Sequence, residues 1–494
     1  MTAMPSHSSP PHTAAASPHT ESDTSHLRGL IWLVAAAFFM QSLDTTIVNT
    51  AVPSIARALA VRPLDLKTAL TSYVLTLAVC IPASAWLADR FGTRRIFAAS
   101  IVVFSLGSLA CGLSQNLTEL IASRVLQGLG GALLMPVGRY VLVRAFGPRD
   151  FVAAMSTAGV FSLLGPVLGP LLGGALSQYA SWRWIFLVNV PVGLLGLWLN
   201  AREMPDYRGP RRSFDVPGFV LFAAASGLLL VAAEMAGGAQ HAGAIGCGIA
   251  GIVFASGYWL HARHEEHPVP DITLLRVRSF WIALTGGLFT RLGTAGLSFV
   301  LVLFLQIGCG WSPTIAGLML VPQALAMILM KLMIDRLLKR YGYRRLLRIN
   351  TITVGVLLAV FALLHATTPG WVVALLVFVY GLVMSLQYTS MNTLAFVDLP
   401  PERAAQASSL TSAVQYLAMT FGIAFASLLM AAFLHGRHHE PVAYVGAFHG
   451  SVLCMAVLPF VAVYVFTRLR RDRPPRRPVE TPETATIESP DSPA

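Results

Sequence analysis

Fourteen stretches of predominantly apolar sequence run through the chain, near residues 29–54, 68–88, 96–114, 119–142, 152–178, 183–200, 216–235, 242–261, 280–306, 313–335, 345–366, 370–392, 404–434 and 444–467. A helix rises about 1.5 Å per residue and the hydrocarbon core of a bilayer is about 30 Å thick, so roughly 20 residues cross it. The stretches therefore predict an all-α polytopic membrane protein with fourteen transmembrane helices. Composition agrees: 55% of residues are hydrophobic and 12% charged, against about 25% charged in a typical soluble domain. An even number of crossings puts both ends of the chain on one side of the membrane.

Charge then sets the orientation. Of 35 Lys and Arg residues, Arg57, Arg62, Lys67, Arg183 and Arg437 fall on the side away from the tails, and Arg124, Arg139, Arg291 and Lys331 fall within spans. The rest lie on the tail side. Cytoplasmic loops carry the excess of Lys and Arg, so both termini are expected in the cytoplasm. The net charge of +12 is thus a matter of topology; it calls for no nucleic-acid partner, and the arginines around Arg468 meet membrane lipids. Residues 1–27, rich in Ser, Pro, His and Thr, and the charged, proline-rich residues 469–494 are expected to be disordered tails. Cys80, Cys111, Cys247, Cys309 and Cys454 stand singly, without the paired spacing of a zinc site or a disulfide framework.

Charges inside the spans are the candidate functional residues, because such a side chain costs about 2.5–3.5 kcal/mol at a helix centre on insertion scales. Asp44, in LDTTIVNTAVP, is the only formally charged residue between Arg28 and Arg57. At about 100° per residue Gln41, Asp44, Thr45 and Asn49 share an arc of about 140°, a polar stripe that must face protein or a cavity. Arg124 carries Gln127, Gly128 and Gly131 on its helical face and is either functional or snorkels outward. Arg291 sits near the middle of its span among Gly286, Gly287, Gly293 and Gly296. It is expected to line a substrate cavity with Gln41, Asn49, Gln127 and Gln306, and to bind an anionic group or pair with a buried acid. Gly165, Gly169 and Gly173 recur every four residues, a face that admits close helix approach, and Pro166 and Pro170 bend that helix. A kinked, close-packed helix at a moving interface is one reading; a plain packing helix is the other.

One internal repeat is visible. DRFGTRR, Asp89 to Arg95, follows the second span, and KRYGYRR, Lys339 to Arg345, follows the tenth. If the two loops correspond, spans one to six match spans nine to fourteen. The expected organisation is a six-helix half at 28–201, a linker with two extra helices at 202–268 and a second six-helix half at 269–468. Internal repeats around a midplane site are a transporter signature.

With these motifs in place, the chain from about Leu30 to Arg468 resembles the major facilitator superfamily, and within it the fourteen-span drug:proton antiporters. LDTTIVNTAVP is similar to that family's first-span motif, AWLADRFGTRR to the superfamily loop motif with Ala85 in place of a glycine, RVLQGLGGALL to the fourth-span motif and GPVLGPLLGG, Gly165 to Gly174, to the antiporter motif. SWRWIFLVNVPVG, Ser181 to Gly193, is the most family-specific, and strings such as FLQIG resemble the MdtD-type subgroup of multidrug transporters. The resemblance implies a multi-pass protein of the bacterial inner membrane, acting as a monomer by alternating access. It implies that Asp89, Arg90, Gly92, Arg94 and Arg95 stabilise the outward-facing state, with a weaker counterpart around Asp335, Arg336 and Lys339. Gly165, Pro166, Gly169, Pro170, Gly173 and Gly174 would form the other conformational motif.

Several chemistries are absent. Lys67, Lys331 and Lys339 are the only lysines and none follows glycine, which excludes a Walker phosphate loop; no zinc-ligand cluster or nucleophile elbow is present. No enzyme activity, cofactor or metal is expected, and energy must come from a gradient. The leading expectation is exchange of protons inward for a small amphipathic molecule outward, with Asp44 carrying the proton under the influence of Arg124. Export of an organic anion or metal chelate is the alternative within transport, and a sensor that transports nothing is the alternative outside it.

Overall fold

The structure, a computed structural model, describes residues 22–146, 148–209, 213–236, 241–266, 268–400, 403–438 and 440–469. Most of both expected tails lies outside these residues, and the first helix already begins at Ser22, within the stretch expected to be disordered. Among the described residues, thirteen helices are long and apolar enough to cross a membrane. They are α1 (Arg28–Ala58), α2 (Pro63–Phe91), α3 (Thr93–Leu113), α4 (Leu117–Ala145), α5 (Ala153–Tyr179), α6 (Trp184–Glu203), α7 (Val216–Met235), α8 (His241–His261), α9 (Arg278–Gly308), α10 (Pro313–Lys331), α12 (Gly370–Phe396), α13 (Gln406–Leu434) and α14 (Pro441–Thr467). The fourteenth, α11 (Ile334–Phe361), is kinked at Gly342. Arg344, Arg345 and Arg348 in the first turns beyond that kink set its crossing limb apart from the others. Short polar turns start the helices locally: Asn116 caps α4 by accepting from Glu119 N at 2.9 Å, and Asp215 caps α7 by accepting from Gly218 N at 2.8 Å.

The repeat seen in two loops extends to the whole architecture. In the first half α1 packs on α4, α5 and α6, α3 on α4 and α6, and α2 on α4; in the second half α9 packs on α12, α13 and α14, α11 on α12 and α14, and α10 on α12. Every pairing recurs eight helices later. The backbone repeats too: Gly92 has φ 91° and ψ 144°, and Gly342 φ 69° and ψ 163°, a region essentially reserved for glycine, where a Cβ costs on the order of 1–3 kcal/mol. Gly92→Ala is expected to lose at least that much stability in a melting experiment, since its Cβ would also overlap the Asp206 carboxylate.

The most extensive contacts between the halves are α5 against α10 and α2 against α13, and α1 also meets α9 and α10. The buried apolar residues show on which face they meet. On the side away from the tails one core includes Ile47, Val52 and Leu70 of the first half together with Leu301, Leu305 and Leu434 of the second. On the tail side the core divides into separate clusters within each half, around Phe97 and Val141 in the first and around Phe280 and Leu347 and around Ile334 and Leu386 in the second, with Tyr416 and Met419 of α13 reaching across to the first. The far face is closed.

The inserted pair, α7 and α8, is a helical hairpin fastened at both ends to α2. Glu234 accepts from Thr68 and Thr71 at 2.9 and 3.1 Å and lies 3.3 Å from Lys67 Nζ, while Phe214 packs on Trp86 with ring centroids 4.7 Å apart. Asp215, His261 and Glu265 bring potential metal-ligating atoms within 4.8 Å of one another. The Asp215 carboxylate is already engaged by Gly218 N, by Val269 N at 3.2 Å and by His261 Nε2 at 2.7 Å, so the trio reads as the clasp at the base of the hairpin.

Candidate functional site

Asp44 sits on α1 at the centre of a four-helix polar network. Its Oδ2 accepts from Arg124 Nη1 of α4 at 2.7 Å, and its Oδ1 accepts from Gln127 Nε2 at 2.7 Å and from Asn189 Nδ2 of α6 at 3.4 Å. Ser108 of α3 closes the ring, accepting from Gln127 at 2.5 Å and from Asn189 at 3.0 Å. Arg124 also donates to Gln127 Oε1 at 2.6 Å and to the Ala69 carbonyl at 3.4 Å, and lies 3.9 Å from the centroid of the Tyr73 ring. The two ionic side chains are 0% and 2% exposed.

The surroundings follow from helix packing. Gly128, Gly130 and Gly131 on α4, and Gly107 on α3, lie close to neighbouring helices: a Cβ on Gly107 would stand 2.5 Å from the Gln127 backbone, and one on Gly130 would overlap the Phe104 backbone of α3. Helices this close leave room for the polar groups but not for bulk water. Two full charges are tolerated there because they are paired and hydrogen-bonded. Removing one partner strands the other, which typically costs about 3–5 kcal/mol. Arg124→Gln is therefore expected to melt at a markedly lower temperature than wild type, while Arg124→Gln combined with Asp44→Asn recovers most of the loss. Equal losses in the single and double variants would mean that the pair contributes no such penalty.

The sequence-predicted residues divide between this network and other places. Asp44 and Arg124 come together, and Arg124 does not snorkel to an interface. Gln127, expected on a cavity wall, is 0% exposed and belongs to the ion-pair network; its position one turn from Arg124 points it at the same carboxylate. Gln306, also expected in the cavity, lies at the closed far face, donating to the Thr50 carbonyl at 2.7 Å across the two halves. Gln41 is 1% exposed, and its amide, like the Tyr73 hydroxyl, has no well-aligned protein partner. Asn49 is partly buried. Arg291 pairs with no acid among the described residues; its guanidinium lies 4.0 Å from the centroid of the Tyr388 ring and lines a partly open pocket in the second half.

The conformational motifs are placed in detail. Tyr140 Oη donates to Asp89 at 2.7 Å, Gly209 N donates to the Asp89 carbonyl at 3.3 Å, Thr93 Oγ1 donates to the Pro205 carbonyl at 2.7 Å, and Arg94 reaches the Ala201 carbonyl. Arg90 and Arg95 are exposed. In this conformation the loop around Gly92 is thus held to α4, α6 and the segment after α6, all on its own side of the molecule. In the second copy neither Asp335 nor Lys339 forms an ion pair among the described residues. Gly165, Gly169 and Gly173, with Pro166 and Pro170 between them, face α1 of the same half: a Cβ on Gly165 would lie 2.6 Å from Leu43 N, and Thr46 Oγ1 donates to the Gly165 carbonyl at 3.2 Å. The stripe is therefore not the surface between the halves. Gly174 is, because a Cβ there would overlap the Pro313 carbonyl, and Gly317 of α10 answers it against the Pro170 carbonyl.

Asn189 and Ser108 were missed. Asn189 lies in the SWRWIFLVNVPVG motif, where its amide in an apolar helix was a usable signal; a serine such as Ser108 carries none.

With this geometry established, comparison with known proteins is informative. The sequence profile of the Major Facilitator Superfamily matches residues 34–423. The chain is 40% identical over 458 residues to the protein named "Putative multidrug resistance protein MdtD" of Serratia proteamaculans, covering 91% of this chain and 95% of that one. It is 41% identical over 457 residues to the protein of the same name from Cronobacter sakazakii, covering 90% and 96%. Among solved structures, a bacterial homologue of the human lysosomal transporter Spinster, in an inward-facing and occupied conformation, superposes with a TM-score of 0.65 at 15% identity over 91% of this chain and 97% of that one. The D-xylose-proton symporter gives a TM-score of 0.62 at 14% identity, over 89% and 97%.

Proposed function

This chain belongs to the major facilitator superfamily, and from that premise we propose that it is a secondary active exporter that exchanges protons inward for small amphipathic molecules outward. The observation that carries the reading is the fully buried Asp44–Arg124 pair beneath the closed far face. Leu43, Ile47 and Val48, flanking Asp44, belong to the core that joins the halves. Opening that face exposes the network to the outer solution; closing it removes outer access. A carboxylate is held ionised by an adjacent guanidinium and is driven toward its neutral form by burial without one. We assign the paired geometry, with Arg124 donating to Asp44 Oδ2, to the step after proton release. Because Asp44 and Arg124 belong to one half, protonation requires a small shift of α1 against α4 in addition to rocking of the halves.

On the distribution of Lys and Arg, both termini are assigned to the cytoplasm of a bacterial inner membrane, and the described conformation is then inward-facing. One chain holds both halves and is sufficient as a monomer. Protons, membrane lipids and a small-molecule substrate are the partners of this cycle. Ethidium serves as a drug-like probe in proteoliposomes containing the purified protein: an imposed pH difference is expected to drive ethidium uphill with proton movement in the opposite direction. A sensor without transport would move neither. A second reading, export of an organic anion, is favoured by Arg291, a cation on the cavity wall with no acid beside it.

A further inference from the structure

We propose that the cavity of the second half binds an amphipathic anion, a molecule with one anionic head group on a short apolar body. The inference deepens the export reading and rests on it only for the purpose of the site. The cavity is a partly open pocket between α9, α12 and α13. Leu284, Leu288, Met391 and Val414 make its walls apolar, and Arg291 is the one formally charged residue among those lining it.

Arg291 is held by Tyr388 and pairs with no acid among the described residues. Gln415 Nε2 donates to Asn392 Oδ1 at 2.6 Å, and the Thr411 hydroxyl is buried with no partner among the described residues. Tyr388 offers a ring face, which holds the guanidinium plane but does not neutralise it. The Arg291 guanidinium, the one charge on the lining of the pocket, gives it a positive field that favours an anionic group. A guanidinium away from bulk water is most stable with a bidentate oxyanion such as a carboxylate, sulfonate or phosphate ester, and the apolar walls take the rest of the molecule. An anion leaving in exchange for an entering proton moves charge in the same electrical sense. Membrane potential would then drive export together with pH, whereas exchange of a monocation for a proton moves no net charge.

Octanesulfonate, its neutral analogue octanesulfonamide and octyltrimethylammonium test the site on full-length protein in phosphatidylcholine nanodiscs, by calorimetric titration. Octanesulfonate is expected to bind at least roughly tenfold more tightly than octanesulfonamide, as a charge-assisted hydrogen bond provides, and octyltrimethylammonium more weakly still. Arg291→Gln should erase the preference and Arg291→Lys should keep part of it, with melting curves confirming that each variant is folded. Equal affinity for the three probes, tighter binding of the cation, or an unchanged preference in folded Arg291→Gln would overturn the site. Replacing part of the phosphatidylcholine by phosphatidylglycerol identifies the source of the anion: weakened octanesulfonate binding assigns the site to a lipid head group, unchanged binding to a solute. If octanesulfonate binds as expected but an imposed pH difference or potential drives no flux in proteoliposomes, the export reading fails and the anion site stands.

Discussion

Vesicles carrying Asp44→Asn should fail to concentrate ethidium or octanesulfonate against a gradient when a pH difference is imposed, falling to the level of protein-free vesicles, while downhill exchange of the same probe persists. The amide preserves the shape of the side chain and one of the two acceptor oxygens that Arg124 and Gln127 use, but it cannot take up or release a proton. The substitution also leaves the Arg124 charge without its counter-ion, so a stability loss of about 3–5 kcal/mol accompanies it. For that reason the flux comparison should include the double variant Asp44→Asn with Arg124→Gln, in which the stranded charge is gone and the proton carrier is still missing. Both variants must lose uphill transport for Asp44 to be the carrier. Uphill transport by folded Asp44→Asn would move coupling to another acid, and Glu234, bonded to Lys67, Thr68 and Thr71, is the next to examine.

Gly174→Val should shift the protein away from the far-face-closed conformation. The new side chain would enter the space of the Pro313 carbonyl, a contact between halves made only when this face is shut. Overpacking of this kind costs about 1–3 kcal/mol, which corresponds to a population change of roughly fivefold to more than a hundredfold. A cysteine introduced at Thr50, whose carbonyl receives Gln306 where α1 meets α9 on the same face, should then react faster with a membrane-impermeant maleimide from outside, in a background lacking the native cysteines. Gly317→Val should act in the same direction from the opposite helix. Gly159, where an added Cβ would meet nothing within 4 Å, supplies the control within α5, and Gly169→Leu should instead destabilise the protein, because it forces α5 from α1 inside one half. Unchanged labelling in Gly174→Val would mean that the α5–α10 contact does not govern closure.

The fold was largely legible from the chain itself. Transfer free energy belongs to each residue separately, so the fourteen apolar stretches, their orientation and the improbable carboxylate at position 44 needed no tertiary information. The paired loops around Gly92 and Gly342 were equally readable, because a positive φ leaves a local requirement for glycine. Even the eleventh crossing, with three arginines in its first turns, was found from its apolar remainder.

What the chain alone did not decide is which surfaces meet. Helical periodicity gives the face on which Asp44, Gln127 or Gly169 lies, but the rotation and neighbours of that face come from packing with helices distant in sequence. Thus Gln127 and Arg124 converge on Asp44 with Asn189 and Ser108 from two further helices, Gln306 bridges the halves instead of lining the cavity, and the glycine stripe of α5 packs within its own half while Gly174 faces the other. These outcomes depend on side-chain contacts that exist only once the helices are assembled, and the sequence carries them only as composition on each helix face.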